Sequence, residues 1–249
     1  MKKDVLILIP AFNESAVIYN VLKQLKEETY SYADILVIND ASQDNTGIIA
    51  KSMGVKVISH VFNLRYGSAL QVGYKYAVRR KYKYVIQMDA DGQHDICNVE
   101  KIYKRLLEKD SPDIVLGSRF LQGSQSFAIP FAKKIAMKYF QFLIYKITKQ
   151  KITDTTSGLQ GLSRNAFLYY SRYNLFDYEY PDANMLLQMI LLKFHVQEVP
   201  AVMHSRETGN SMHSGIFKPL FYMFIMTLSM INVVVRVKSK KQKKDWIQY

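Results

Sequence analysis

Two carboxylates placed two residues apart are the strongest chemical signal in the sequence. Asp89 and Asp91 belong to the stretch MDADGQH, which follows the run KYVIQM, whose Val and Ile content predicts a buried strand. Two carboxylates in a tight loop can face one hard divalent cation, which prefers oxygen ligands and often shares them with a diphosphate. The alternative interpretation is a capped turn. We therefore expect a Mg²⁺ or Mn²⁺ site that needs no cysteine or histidine.

Polar side chains also follow the other predicted strands. They suit hydrogen bonds to a base or ribose, and they are Asn13, Glu14, Asp40 and Asp44. Asn13 and Asp44 are equally good helix caps, so capping remains an alternative for them. Arg65 and Gly67 combine a guanidinium with a glycine at a helix start, which predicts a phosphate contact.

Strand and helix signals alternate over the first half of the chain. The predicted strands are 4–9, 34–38, 55–59, 83–88 and 113–117, and the predicted helices are 16–25, 45–53, 67–80 and 99–107. This alternation predicts an α/β fold with a mostly parallel sheet and helices on both faces. Ligands bind such sheets at the carboxyl ends of the strands, where the polar loops gather. The four loops are therefore expected to form one site.

Composition limits the classes of partner and compartment. The 249 residues suffice for one large domain, and the formal net charge of +13 favours an anionic partner such as lipid headgroups, phosphates or nucleic acid. The lone Cys97 excludes an intramolecular disulfide and a cysteine-based zinc site, and it suits a reducing compartment. The first apolar run is too short for a signal peptide. We expect a cytosolic protein.

Two later segments combine apolar and basic residues. Residues 127–147 show helical spacing and four lysines, typical of an interfacial helix and equally of an amphipathic helix packed on the core. Residues 219–235 carry no charge and precede a lysine-rich run, whereas a spanning helix needs about 20 apolar residues. A single crossing would also place these lysines outside, against the positive-inside bias. We predict a helix in the membrane interface or docked on a membrane partner, with a buried helix of a soluble protein as the alternative.

The order of the motifs resembles that of the inverting family 2 glycosyltransferases of the GT-A fold, and within them the polyprenyl-phosphate sugar synthases. The motifs are Pro10 with Asn13 and Glu14, Asp40 with Asp44, Asn63 with Gly67, Asp89 to His94, Gly117 to Arg119, and Thr156 to Gly158. The resemblance implies a GT-A catalytic domain over residues 1–215, followed by a membrane-associating helix and basic tail over 216–249. It also implies a nucleoside-diphosphate sugar donor, with UDP preferred, and a polyprenyl phosphate acceptor such as undecaprenyl phosphate at the cytosolic face of the cell membrane.

The same resemblance implies a role for each matched residue. The nucleoside would be faced by Pro10, Asn13, Glu14, Asp40 and Asp44, and the metal by Asp89, Asp91 and Gln93, with Ala90 between them in the donor site. Arg119, preceded by Ser118, would meet the acceptor phosphate; Ser157 and Gly158 would line the acceptor entrance; Arg206 would close over the diphosphate. Such relatives can carry further transmembrane helices, so a separate small membrane protein could supply an anchor.

The identity of the acceptor decides whether a general base is needed. A phosphate acceptor is already ionised at neutral pH, whereas a hydroxyl acceptor requires a base, for which Asp182 is the first candidate and Glu179 the second. Alternatively, Asp182 only caps the helix predicted over 185–192. Two other functions stay open: a glycosyltransferase that extends a lipid-linked or surface glycan at a hydroxyl, and a non-catalytic basic module that binds membrane or nucleic acid. The Asp89 and Asp91 pair argues against the module and against a nucleic-acid partner, because two unpaired carboxylates repel an anion.

Overall fold

The computed structural model describes residues 3–127, 129, 131–205 and 217–239. Its strands are β1 (Val5–Ala11), β2 (Ala33–Asn39), β3 (Lys56–Ser59), β4 (Tyr84–Gln87), β5 (Ile114–Ser118), β6 (Gln160–Ser163) and β7 (Val196–Pro200). Its helices are α1 (Ile18–Thr29), α2 (Thr46–Ser52), α3 (Tyr66–Arg80), α4 (Cys97–Leu106), α5 (Phe131–Thr148), α6 (Arg164–Tyr170), α7 (Ala183–Leu191) and α8 (Phe217–Ser239).

The strands form one mostly parallel sheet in the order β3-β2-β1-β4-β6-β5-β7. Only β6 runs antiparallel, against both β4 and β5. The predicted α/β architecture is confirmed, and β6 and β7 are additions to the five predicted strands. Their sequences, QGLS and VQEVP, lack the continuous Val and Ile content that marks the others.

Helices cover both faces of the sheet, because side chains of successive strand residues point to opposite sides. In β1, Leu6 and Leu8 belong to one buried cluster with residues of α3 and α5 to α8. Val5, Ile7 and Ile9 belong to a second buried cluster with residues of α1, α2 and α4. The near-continuous apolar run of β1 is therefore explained by burial on both faces.

Helix α8 has one face in the protein and one face in solvent. Met226, Met230 and Val233 are buried in the cluster that contains α5 and α7. The opposite side chains recur every three or four residues and remain exposed: Phe221, Phe224, Leu228, Ile231 and Val235. By length and composition, Phe221–Ser239 could cross a membrane. Only 17% of its apolar stretch is buried in the protein.

Candidate active site

The polar loops meet at one edge of the sheet, as the alternation predicted. β1, β2, β3 and β4 are parallel neighbours, with Ala11 beside Asn39, Asn39 beside Ser59, and Leu8 beside Gln87. The segments that follow these strands therefore leave the sheet on the same side.

Asp89 is surrounded at this edge by groups from two other segments and by His94 of its own turn. The Tyr66 hydroxyl, at the start of α3, donates a hydrogen bond to Asp89 Oδ1 at 2.8 Å. Gly158 lies so close that a Cβ there would be 2.3 Å from Oδ2. His94 Nε2 lies 3.6 Å from the same Oδ2 atom, and one third of the Asp89 side chain (33%) remains exposed. The carboxylate thus has a fixed orientation and an open side.

The surroundings of Asp89 favour its ionised form. Burial alone would raise the pKa of Asp89, but interaction with His94, the Tyr66 hydroxyl and the positive charge of Arg119 outweigh burial and lower it. An ionised carboxylate is the form that binds a cation.

Asp91 and Gln93 complete the turn after β4. Asp91 Oδ1 accepts a hydrogen bond from Gln93 N at 3.0 Å, and Gly92 between them has a φ of 73°, which favours glycine. Across the described ranges, no three His, Cys, Asp or Glu side chains cluster as a metal site. The donor set of Asp89, Asp91 and Gln93 is all oxygen, which fits a hard cation that takes its remaining ligands from substrate and water.

Asn13 and Asp44 join the loops after β1 and β2. Asn13 Oδ1 accepts from Gln43 N at 2.8 Å, while Asp44 Oδ2 accepts from Ser15 N at 3.0 Å and Oδ1 from Thr46 N at 2.9 Å. Burial opposes the effect, but these bonds from Thr46 and Ser15 lower the pKa of Asp44 to about 2. The neighbouring Glu14 is anchored through its backbone N–H, which donates to Thr46 Oγ1 at 2.8 Å. The side chains of Asn13 and Asp44 therefore hold the loop after β1 against the loop after β2.

Asp40 is buried at the carboxyl end of β2. Its Oδ1 lies 2.6 Å from His60 Nδ1 and accepts from Leu64 N at 2.9 Å. In the part of the chain that the structure describes, Oδ2 has no hydrogen-bond partner, so it can accept from a ligand. Pro10 is buried within β1 opposite Ile38, so its contribution is to the strand end and not a polar contact.

Arg65 and Gly67 fix the start of α3 against the segment that precedes α7. Arg65 forms an ion pair with Glu179, the second candidate base. A Cβ at Gly67 would lie 2.3 Å from the Asp177 carbonyl oxygen, and Ser68 N donates to the Tyr178 carbonyl at 3.1 Å. Gly67 thus permits a close approach of two backbone segments. The sequence predicted a phosphate contact for this glycine but not this packing role.

Arg119 is buried and tied to Asp154. Its Nε and Nη2 donate to the two Asp154 oxygens at 2.7 Å each, and Nη2 also donates to Thr156 Oγ1 at 3.0 Å. The side chains are 6% and 0% exposed. The guanidinium is therefore held in one orientation by a two-point ion pair.

The hydroxyl groups of Ser118 and Ser157, for which substrate contacts are expected, have hydrogen-bond partners within the protein. Ser118 Oγ lies 2.7 Å from Thr153 Oγ1, and Ser157 Oγ donates to the Gly117 carbonyl at 2.6 Å. Both serines are buried. The sequence does not distinguish a serine that faces a ligand from a serine that faces the core when both lie beside a glycine in a loop. Ala90 is likewise buried, and Arg206 lies outside the described residues.

Asp182 lies at the start of α7, but its side chain makes no cap hydrogen bond. Instead, Oδ2 accepts from the Tyr222 hydroxyl of α8 at 2.6 Å. Burial raises the pKa of Asp182; Tyr222 and the positive charge of Lys133 lower it, while Asp89 and Asp177 raise it further. Asp182 therefore shares the electrostatic environment of Asp89.

Lys133, in the first turn of α5, is a site residue that the sequence did not reveal. Desolvation and the positive charge of Arg119 lower the pKa of Lys133, and the opposite effects of Asp154, Asp182 and Asp89 do not reverse this. The side chain is nevertheless in contact with solvent. In the sequence it is one of several lysines on an amphipathic helix. Only folding brings this ammonium group within electrostatic range of the carboxylates.

Comparisons with known proteins agree with this arrangement. The family model described as Glycosyl transferase family 2 matches residues 6–170. A UDP-N-acetylglucosamine–dolichyl-phosphate N-acetylglucosaminyltransferase of Methanococcus voltae is 29% identical over 181 residues, covering 66% of this chain and 71% of the relative. An undecaprenyl-phosphate mannosyltransferase of Micrococcus luteus is 26% identical over 217 residues, covering 85% of this chain and 88% of the relative.

A solved structure extends the likeness to the fold. The glucosyl-3-phosphoglycerate synthase of Mycobacterium tuberculosis, crystallised with Mn²⁺, UDP-glucose and phosphoglyceric acid, superposes with a TM-score of 0.69 at 15% identity, covering 94% of this chain and 79% of that chain. The matched family region holds β1 to β6 and the Asp89 turn. With a sheet of the expected topology and polar loops gathered at its edge, this chain belongs to glycosyl transferase family 2.

Proposed function

We propose that the protein transfers a sugar, with inversion, from a nucleoside-diphosphate sugar to a polyprenyl phosphate at a membrane surface. The observation that carries the proposal is the Asp89 turn at the edge of the sheet, where an ionised carboxylate is held by Tyr66 and remains open on one side. The relatives named for dolichyl phosphate and undecaprenyl phosphate support this acceptor class. UDP as the nucleotide is supported by the name of the first of these relatives.

Asp89, Asp91 and Gln93 would hold a divalent cation, Mn²⁺ or Mg²⁺. When bound, the cation supplies charge stabilisation for the diphosphate leaving group. The structure of the related synthase with Mn²⁺ supports this choice of metal class. In this chain, Tyr66 and Gly158 keep the Asp89 carboxylate turned toward the donor side.

The loops after β1, β2 and β3 would bind the nucleoside and phosphates of the donor. Asp40 Oδ2 would accept a hydrogen bond from the base, while Asn13, Glu14 and Asp44 hold the loop walls through the bonds described above. Arg65 directly precedes α3, and its side chain is 60% exposed, so its guanidinium would be accessible to a phosphate bound at the start of this helix.

On the acceptor side, Arg119 and Lys133 provide positive charge opposite the carboxylates. A lipid phosphate placed there would be attracted by both cations, and its oxygen would attack the anomeric carbon from the face opposite the diphosphate. Because that oxygen is already ionised, no proton needs to be removed. Arg119 is preorganised by Asp154, so little rearrangement is needed when the phosphate arrives.

A groove beside Arg119 fits the isoprenoid part of such an acceptor. It has a volume of about 960 Å³ and runs between α5 and the segments around Phe120 and Thr153. Its apolar lining includes Phe120, Ile129, Met137, Phe142, Tyr145 and Ile152, with lysines 134, 138 and 151 at its polar positions. Apolar walls with a few cations suit a lipid that carries a phosphate.

The exposed faces of α5 and α8 would rest in the membrane interface. On α5 the exposed apolar side chains are Phe131, Ile135, Phe142 and Tyr145, alternating with exposed lysines 134, 138 and 146. Each lysine near an anionic leaflet contributes about 1 kcal/mol. Since Met226, Met230 and Val233 bury one side of α8 in the protein, lipid cannot surround this helix, which favours an interfacial position over a spanning one. The positive-inside bias keeps the lysine-rich tail in the cytosol, so the protein would lie on the cytosolic face of the membrane.

The activity is tested by incubating the full chain with Mn²⁺ or Mg²⁺, a panel of nucleotide sugars and a short polyprenyl phosphate, and reading lipid products by mass. The matched acceptor is the corresponding polyprenol, which lacks the phosphate. We expect product with the phosphate only and an inverted anomeric centre by NMR. Absence of product with every donor would refute the proposal.

A second candidate, glycosyl transfer to a hydroxyl of a lipid-linked glycan, is favoured by Asp182. Its carboxyl group shares the site with Asp89, and its raised pKa suits a general base. In that reaction Asp182 would take the acceptor proton. Product with the hydroxyl acceptor, lost in Asp182→Asn, would support this function over the first.

Membrane orientation is tested by placing a cysteine after Tyr249 in a Cys97→Ser background and treating intact cells with an impermeant thiol reagent. We expect no labelling until the cells are opened. Labelling from outside would show that α8 spans the membrane and would refute the interfacial position.

A further inference from the structure

Helix α8 reaches the interior of the candidate site. Its Tyr222 donates to Asp182 Oδ2 at 2.6 Å, and the ring is fixed by edge-on packing against Phe140 of α5 and Tyr180. The ring centroids are 6.1 Å and 5.5 Å apart, respectively. The direction of the Asp182 carboxyl group therefore depends on where this turn of α8 lies.

The same turn of α8 also carries the outward apolar surface. Phe221 and Phe224, on either side of Tyr222 in the sequence, are 65% and 59% exposed. A further contact ties the helix to the site lower down: Asn184 Nδ2 of α7 donates to Ser229 Oγ at 2.8 Å and to Asp177 Oδ2 at 2.7 Å. One rigid helix thus joins the solvent-exposed apolar face to two acidic residues around the site.

We propose that Tyr222 is a positioning residue for Asp182, and that the seating of α8 on an anionic lipid surface activates the site through this contact. The occupant of the outer face is a bilayer with anionic lipids. On the neighbouring helix α5, exposed lysines 134, 138 and 146 are interspersed with exposed aromatic residues, which is the composition of an interfacial helix. Met226, Met230 and Val233 hold the inner side of α8 in the protein, and burial of the outer side in lipid would hold the same helix, with the Tyr222 hydroxyl, from its other side. This inference rests on the second candidate function, in which Asp182 takes the proton of a hydroxyl acceptor.

The test separates activation from simple recruitment of the lipid substrate. The full chain is assayed with a hydroxyl acceptor that stays in solution, with and without empty phosphatidylglycerol vesicles. We expect vesicles to raise kcat of the wild type several-fold. Tyr222→Phe keeps the ring but loses the hydrogen bond, so its kcat should fall about tenfold and lose the vesicle response, with the donor KM and vesicle binding unchanged.

Thr227→Val is the matched control on the same helix. Thr227 Oγ1 lies 3.2 Å from the Tyr139 hydroxyl of α5 and has no contact with Asp182. This variant should keep both kcat and the vesicle response. Equal losses in the two variants, or a Tyr222→Phe protein with the wild-type kcat and response, would overturn the inference.

The outcome for Tyr222 is distinguishable from that for the activity itself. A wild type without transfer to any acceptor refutes the proposed function, whereas a transferring wild type that ignores vesicles refutes only the role of α8. If the wild type uses only a phosphate acceptor, Asp182 has no proton to take and the positioning role of Tyr222 is refuted.

Discussion

Replacing Gly158 by alanine should disable the cation site while leaving the fold intact. The added Cβ would stand 2.3 Å from Asp89 Oδ2 and 2.9 Å from its Cγ. Reaching an ordinary contact requires the carboxylate to retreat by about 1 Å, because Cβ contacts normally begin near 3.4 Å. A displacement of about 1 Å in a reacting geometry can cost about 10²-fold in rate. We therefore expect transfer to fall about 100-fold and Mn²⁺ affinity to fall with it.

Gly161→Ala is the control for steric strain alone. Its Cβ would lie 2.2 Å from Ile102 Cγ2, a clash of the same size against an apolar side chain of α4. Such overpacking costs about 1–3 kcal/mol, so this variant should unfold at a lower temperature while the folded enzyme keeps its metal affinity. Metal titration, transfer rate and thermal unfolding are measured for both. A Gly158→Ala protein with wild-type Mn²⁺ affinity would show that Asp89 does not bind the cation.

Substitutions at three further residues test the other side-chain assignments. Asp91→Asn keeps the size but removes a charged ligand, so transfer should fall at least about 10²-fold while the unfolding temperature is kept. Arg119→Ala would leave the buried Asp154 carboxylate unpaired at a cost of about 3–5 kcal/mol, whereas Arg119→Lys should stay folded and raise the acceptor KM without slowing donor hydrolysis; unfolding curves and the two assays distinguish these effects. Because the pKa of Asp44 falls from 3.8 to about 2 on folding, its stabilisation is present above pH 3.8 and is lost as the pH falls toward 2. Asp44→Asn should be less stable than wild type at neutral pH, and denaturant titrations should show this difference shrinking through that window.

The strands and the helices between them could be predicted because burial on two faces leaves a continuous apolar run. All five predicted strands are present within one or two residues, and α3, predicted over 67–80, is Tyr66–Arg80. β6 and β7 could not be predicted in the same way. β6 contains Gly161, whose missing side chain admits Ile102, so close packing replaces the β-branched signal there.

The gathering of the donor loops was predictable from topology alone. Parallel neighbours must release their loops on one side, and the residues after β1, β2 and β4 are contiguous in sequence with strands that could be recognised. The sequence offered a local capping bond for Asp44, but it could not show the bond from Ser15 N, which lies 29 residues away. The internal partners of Ser118 and Ser157 are similarly distant in sequence, such as Thr153 for Ser118.

The acceptor side was less predictable, because separate segments build it. Lys133, Asp182 and Tyr222 belong to α5, the start of α7 and α8. No local spacing relates them, and each has an ordinary alternative as a solvated lysine, a helix cap or a core aromatic residue. Their common environment becomes visible only when α5, α7 and α8 pack together.

The division between these two sides bears on which part of the chain sets the acceptor. The family match ends at residue 170 and includes the Asp89 turn, the donor loops and Arg119, but neither α7 nor α8. Family membership therefore supports sugar transfer at the sheet edge and carries little information on what receives the sugar. We propose that this choice depends on the groove beside α5, on the charges of Lys133 and Asp182, and on the contact of α8 with the membrane. In the proposed function, α8 presents its apolar face outward and Tyr222 inward, and so links the selection of a lipid acceptor to the orientation of Asp182.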